Sequence, residues 1–173
     1  MLIRILNESD AFIYQELRLS ALQMNPESFG SSYDREVQFP LEMIKDRIKP
    51  SIDKFILGAF DDSNSLVGIV TFVREIGMKT NHKGNIYAMY VKPEFRRHGI
   101  GKLLILELLN KAKELNGLEQ INLIVVSKNL AAKKLYHSIG FQTYGIEKHA
   151  LKYNGEYFDE DFMVLNFNNT CLP

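Results

Sequence analysis

Ile86-Tyr-Ala-Met-Tyr-Val-Lys-Pro-Glu-Phe-Arg-Arg-His-Gly-Ile-Gly-Lys-Leu-Leu104 decides the fold. Residues 86–91 are apolar and aromatic, the composition of a buried strand. Pro93 lacks an N–H and keeps Lys92 extended, so the strand stops there. A basic turn with two glycines, residues 96–101, follows, and a long helical pattern starts at Gly99. A strand therefore runs into a helix through a turn with little side chain. The first N–H groups of such a helix have no internal partner and stand at the positive end of its dipole. With Arg96 and Arg97 beside them, they form a place for phosphate.

Three phosphate loops compete for this turn. A nucleotide P-loop needs Gly at position 96, which is Arg96, and Ser or Thr at position 103, which is Leu103. A dinucleotide loop needs a third Gly at position 104, which is Leu104. Arg-x-x-Gly-x-Gly, with Arg96, Gly99 and Gly101, does fit, and an ordinary strand-to-helix turn remains the plain alternative.

Outward from this stretch, the chain reads as alternating short elements. Residues 2–6 form a first strand. Asn7 with Asp10 resembles a capping box opening a helix to about Met24, and Pro26 ends it. Residues 27–39 read as a polar, aromatic loop. Pro40 starts a second helix to about Ile48. Residues 54–60 and 66–76 pair as a hairpin around the Asp61–Ser65 turn cluster, and 78–85 is a loop. After Gly99, Ile100, Leu103, Leu104, Leu108, Ala112 and Leu115 share one helical face, and Gly117 is placed to end the helix. Residues 121–126 are continuously apolar, as in a strand covered on both faces. A strand–helix–strand unit thus spans about residues 86–126. Asn129 can cap a helix carrying Ala132, Leu135, Tyr136 and Ile139, ended by Gly140. Residues 141–151 and 157–167 pair across Asn154-Gly155, the dipeptide of a type I′ turn. Residues 1–167 form a single domain and 168–173 a tail.

The whole chain of 173 residues has 46% hydrophobic and 24% charged residues and no net charge, which is ordinary globular composition. Zero net charge argues against a nucleic-acid surface driven by bulk charge. The single Cys171 excludes an internal disulfide framework, and the four histidines lack zinc-ligand spacing, so no metal is expected. No apolar run approaches the length of a membrane span and no signal peptide is visible. The expected compartment is the cytoplasm, with no membrane and no nucleic-acid partner.

A second motif lies about thirty residues after the basic loop, across one helix and one strand: Asn129-Leu-Ala-Ala-Lys-Lys-Leu-Tyr-His-Ser-Ile-Gly-Phe141. With the Arg96–Gly101 loop before it, it resembles the GNAT N-acetyltransferase superfamily. The C-terminal stretch 150–163 is similar to a bacterial branch that acetylates small amines or protein N-termini. The resemblance covers nearly the whole chain. It implies an α/β (α+β) GNAT fold: a mixed sheet of about seven strands, antiparallel in its N-terminal part, with a parallel splayed pair and about four helices. It implies acetyl-CoA as cosubstrate, a small-molecule, peptide or protein amine as acceptor, and direct transfer in a ternary complex. It also admits a homodimer.

The resemblance assigns roles residue by residue. Backbone groups of Arg97, His98, Gly99, Ile100, Gly101 and Lys102 would hold the pyrophosphate, with charge from Arg96 and Arg97. Met89 and Val91 would pair with the pantetheine arm through their backbone, and Asn129 would hydrogen-bond it, though a plain helix cap explains Asn129 equally. Tyr136 would be general acid to the CoA sulfur; a packed core aromatic is the alternative. Relatives carry a Glu near position 85 as base, and here Asn85, Tyr87 and Met89 offer none. Glu36, Glu75 and Tyr33 are base candidates by loop position only. Tyr33, Glu36 and Tyr157 are the acceptor-binding candidates, with Tyr14 and Phe29 beside them. The absent base keeps a second reading open, an acyl-CoA-binding module without turnover. An anion- or RNA-binding domain using Arg96 and Arg97 is a third.

Overall fold

The structure is a computed structural model, and residues 1–167 are described. The tail at 168–173, with Cys171, lies outside them. Seven strands form one sheet: β1 (Leu2–Ile5), β2 (Lys54–Phe60), β3 (Leu66–Arg74), β4 (Lys83–Val91), β5 (Gln120–Val126), β6 (Gln142–Tyr153) and β7 (Glu156–Asn166). Their order is β1-β2-β3-β4-β5-β7-β6, antiparallel except for the parallel pair β4–β5. The helices are α1 (Ala11–Met24), α2 (Tyr33–Glu36), α3 (Leu41–Ile48), α4 (Ile100–Lys113) and α5 (Leu130–Ile139). This is the mixed sheet expected from the sequence, with one short helix more.

Two cores cover the two faces. On one, Ile100, Leu104, Ile105, Leu108 and Ala112 of α4 and Tyr136 and Ile139 of α5 pack on Leu57, Val70, Phe72 and Ile86. On the other, Ala11, Tyr14, Leu17 and Ala21 of α1 and Ile44 and Ile48 of α3 pack on Ile56, Phe60, Ile69 and Tyr90. Local chemistry sets the ends. Asn7 accepts from Ser9 N–H, and Asp10 closes the box by accepting from Asn7 N–H at 2.9 Å. Gly140 caps α5 with φ 110°, and Asn154 and Gly155 both have positive φ, as a type I′ turn requires.

Several expectations fail for stated reasons. Leu103 is exposed, because the buried stripe of α4 runs through Leu104, Ile105, Leu108 and Leu109. Ile124 is also exposed, since β5 loses its β4 neighbour at that level. β4 begins at Lys83, in what reads as loop, because Lys83 to Ile86 ladder to β5 despite their polar sequence. α4 ends at Lys113, and Gly117, at φ 75°, serves the turn before β5 instead. The loop at 27–39 contains α2, capped by Ser32, whose Oγ accepts from Arg35 N–H.

Candidate active site

The β4–β5 ladder holds only four residue pairs, from Lys83–Gln120 to Ile86–Leu123. Beyond them the strands separate. A bulge sits at the same level: Thr71 pairs with Tyr87 and Ile69 with Tyr90, so Val70 alone faces Ala88 and Met89, and Ala88 has φ 50°. Bulges bend a strand and increase its twist. Here the bend carries residues 88–91 away from β5.

The opening is a cleft of about 880 Å³ that passes through the sheet. On the α4 side it is lined by Met89, Val91, Gly101, Asn129 and Tyr136; on the α1 side by Arg18, Phe29, Tyr90, Phe158 and Glu160. The sheet gap thus joins two chambers. A second cavity of about 490 Å³, with Tyr33, Asp34, Lys152 and Tyr153, shares Glu27, Phe29, Gly30 and Leu151 with it and extends the α1 side.

At the α4 end of the cleft, the first helical bond runs from Leu103 N–H to Gly99 O at 3.0 Å, so the N–H groups of Ile100, Gly101 and Lys102 precede it and are available. Gly99 has φ 79° and open space where a Cβ would stand. Arg97, also left-handed at φ 65°, His98 and Lys102 are exposed around this end. The Ile100 side chain is core, leaving only its backbone for a ligand. A Cβ at Gly101 would lie 3.0 Å from Met89 Cε and 3.3 Å from Leu135 Cδ2. That glycine therefore serves close packing of α4 against the cleft wall.

Arg96 is not a free phosphate ligand. Its Nε donates to Val91 O and its Nη2 to Asn25 Oδ1, both at 2.8 Å, and its guanidinium lies over the Tyr90 ring. It fastens the loop to the end of β4, and the Val91 carbonyl is committed to it. Met89 lies in the bulge with no register partner, so its backbone faces the cleft unladdered. Asn129 caps α5, Oδ1 accepting from Ala132 N–H at 3.1 Å, and lines the cleft as well.

Tyr136 is 6% exposed, edge-on to Phe141 at 5.9 Å, and opens to the cleft. Burial pushes its hydroxyl up to about 12, so it carries its proton throughout the neutral range. Asp161, on the α5 side of β7, holds this helix in place: Ser127 Oγ donates to it, and Lys133 Nζ lies 2.6 Å away. Burial would raise the Asp161 carboxyl, but Lys133 and Ser127 outweigh it and keep it low.

The acceptor candidates divide. Glu36, 1% exposed, is an internal ion-pair hub and lines neither cavity. Arg18 Nε and Nη2 donate to it at 3.1 and 2.9 Å, and Arg47 Nη1 at 2.7 Å. It ties α2 to α1 and α3 and is neither an acceptor ligand nor an available base. Tyr33 lines the second cavity, not the main cleft. Tyr157 stacks on His149 outside both, and Glu75 is likewise absent from the walls. Tyr14 is buried in the α1 core.

Arg18 and Tyr90 carry no sequence signal of a place in the site, and Tyr87, passed over as a base, also lines the cleft. For Glu160 a signal exists. Phe158-x-Glu160-x-Phe162 puts one carboxylate between two aromatics on a single strand face, but the run Asp159-Glu160-Asp161 disguises it as a solvated acidic patch.

A helix N-terminus with free N–H groups and a buried tyrosine therefore open onto one cleft in a split sheet. In comparison with known proteins, residues 3–162 match the acetyltransferase (GNAT) domain, and the chain belongs to that family. It is 30% identical over 118 residues to a spermidine N(1)-acetyltransferase of Thermoplasma acidophilum, covering 67% of this chain and 69% of that one. A GNAT-family acetyltransferase from Streptococcus pneumoniae superposes with a TM-score of 0.85 at 22% identity, over 96% of this chain and 99% of that one. The Salmonella typhimurium protein yncA, in a structure with its cofactor acetyl-CoA, gives 0.79 at 20% identity, over 100% and 97%.

Proposed function

We propose that the protein is an N-acetyltransferase that moves an acetyl group from acetyl-CoA to a primary amine by direct transfer in a ternary complex. The observation that carries this reading is the cleft through the sheet, which opens the Tyr136 chamber to a separate acceptor chamber. The residues present fit acetyl-CoA. The N–H groups of Ile100, Gly101 and Lys102 meet the pyrophosphate, with Arg97, His98 and Lys102 around them. The unladdered backbone at Met89 and the side chain of Asn129 meet the pantetheine amides. Tyr136 donates its proton to the sulfur as the thiol leaves. The chain's one cysteine is Cys171, so none stands in the strands and helices that build the cleft, which supports direct transfer over an acyl-cysteine route. The acceptor is a small-molecule, peptide or protein amine; the spermidine-acetylating relative makes polyamines the first class to try.

Calorimetric titration with CoA and thiol release with an amine panel test the reading. Saturable CoA binding without acetylation of any amine would instead support the binding module. Gly99→Asp is expected to weaken CoA binding at least about fivefold. It sets a like charge near the pyrophosphate, worth between about 1 and 4 kcal/mol at 4 Å depending on the local dielectric. The open space around Gly99 lets the fold survive, at a left-handed penalty of about 1 kcal/mol. Gly99→Asn is the uncharged control and should bind CoA more tightly than the Asp variant. Equal affinity for wild type and the Asp variant removes this loop from the site.

A further inference from the structure

The acceptor chamber contains one carboxylate without a partner. Glu160 pairs with Val126 in the β5–β7 ladder, one strand in from the gap. Strand alternation puts it on the same face as Phe158 and Phe162. That face is opposite Asp161, which is spent on Lys133 and Ser127. Glu160 lines the cleft, and its carboxylate makes no hydrogen bond or ion pair among the described residues. Burial, and then Glu147 across the β6–β7 ladder, raise its proton affinity. It is a carboxylate that no cation pairs with among the described residues, in a cavity with Tyr136 on its far wall.

A second observation marks the same chamber as built for a polar ligand. Arg18 and Tyr90, 7% and 4% exposed, both line the cleft, and Arg18 Nη1 and Tyr90 Oη have no hydrogen-bond partner. Buried donors are rarely left so. The other charged and titratable groups of the chamber are occupied or unsuited. Arg18 is held by Glu36, and Lys128 Nζ lies 5.6 Å over the Phe158 ring. Glu27 accepts from Ser28 Oγ, out where the second cavity joins. Tyr87, pushed up by burial and by Glu75, keeps its proton at neutral pH and cannot take another.

Resting on the acetyltransferase reading, we infer that Glu160 receives the acceptor's ammonium group at the mouth of the gap and takes its proton. The N–H bond breaks to leave the neutral amine, whose lone pair forms the C–N bond at the thioester carbonyl. The C–S bond then breaks and the sulfur leaves with the electron pair. Tyr136 Oη gives the sulfur a proton, and the second nitrogen proton returns to the tyrosinate through water. Glu160 releases its own proton to solvent. One amide, one free thiol and one proton result.

The test compares wild type, Glu160→Gln and Glu160→Asp, with spermidine, phosphinothricin and an alanyl tripeptide as acceptors. Glu160→Gln is expected to lower kcat/KM at pH 7 by about 10²-fold, the lower end for a general base. The deficit should shrink as pH rises toward the amine's own pKa, because more of the acceptor arrives neutral. The Asp variant should restore part of the rate, and acetyl-CoA affinity should not change. Without any ligand, Glu160→Gln should melt at the same temperature or higher, since an ionised carboxylate that prefers its proton burdens the fold. A kcat/KM within threefold of wild type from pH 6 to 9 overturns the assignment. So does a rate loss that is pH-independent and accompanied by a lower melting temperature. If wild type binds no acetyl-CoA, or acetylates none of these amines, the acetyltransferase reading is what fails, and the role of Glu160 falls with it.

Discussion

Tyr136→Phe lowers kcat by about 10²–10⁴-fold and leaves acetyl-CoA affinity nearly unchanged, the expected result for loss of a general acid when chemistry limits turnover. The ring stays in place against Phe141, Ala132 and Leu135, so stability should shift by no more than about 1 kcal/mol. The acidity of the hydroxyl sharpens the expectation. Held up at about 12 by burial, Tyr136 is protonated at every pH where the enzyme would be assayed. Its loss should therefore scale the pH–rate profile down without moving either limb below pH 9. A core tyrosine without a chemical role predicts the opposite pattern, with the rate kept and stability altered. Retention of more than about a third of the rate would sink the assignment, since that is under 1 kcal/mol of barrier.

Glu36→Gln is expected to destabilise the protein by about 3–5 kcal/mol, the usual cost of breaking a buried ion pair from one side. Arg18 would keep a buried charge with its counter-ion gone, and α2 would lose its ion pairs to α1 and α3. Burial by itself would raise the Glu36 carboxyl. The hydrogen bonds and charges of Arg18, Ser31 and Arg47 outweigh it and hold the group at about 2, against an ordinary 4.5. The folded value is the lower one, so this stabilisation is complete above about pH 4.5 and fades as pH falls toward 2. The span corresponds to about 3 kcal/mol. Urea unfolding at pH 7 and pH 3 should show wild type losing about 2 kcal/mol of this increment and the variant lacking it at both. A variant as stable as wild type at pH 7 would show that the network contributes nothing.

The sequence made the α4 side of the site legible and the α1 side nearly opaque. Helix starts and turns depend on neighbours a few residues away, so Gly99, Asn129 and the Asn154-Gly155 turn could be read directly. The place of Tyr136 on the cleft wall is readable because its motif lies on one helix. Glu160, Arg18 and Tyr90 come from three elements far apart in the chain, and only the sheet register brings them to one chamber. Arg96 and Glu36 were misplaced for a related reason. A charged residue in a loop looks the same whether it faces a ligand, solvent or a counter-ion, and the counter-ions of Glu36 lie 18 and 11 residues away. The bulge at Ala88 has no sequence signal at all, since alanine does not favour positive φ.

The short β4–β5 ladder also has a mechanical meaning. Four residue pairs, the packing of α4 and α5, and the Pro26–Ser28 turn against β5 and β6 join the β1–β4 block to the β5–β7 block, so the middle of the sheet is a seam. A ligand lying in it would supply the missing cross-strand bonds and act as a mortar between the halves. Among residues 87–91 and 124–126, the amide hydrogens that face the seam rather than β3 or β7 should exchange quickly in the free protein and slowly once the seam is filled. Global stability should climb with cofactor concentration, by about 2.7 kcal/mol at a hundredfold excess over Kd. Unchanged exchange on saturation with CoA would mean that the ligand does not bridge the strands. If it does, the melting temperature of this protein becomes a gauge of cofactor occupancy that works before any acceptor is known.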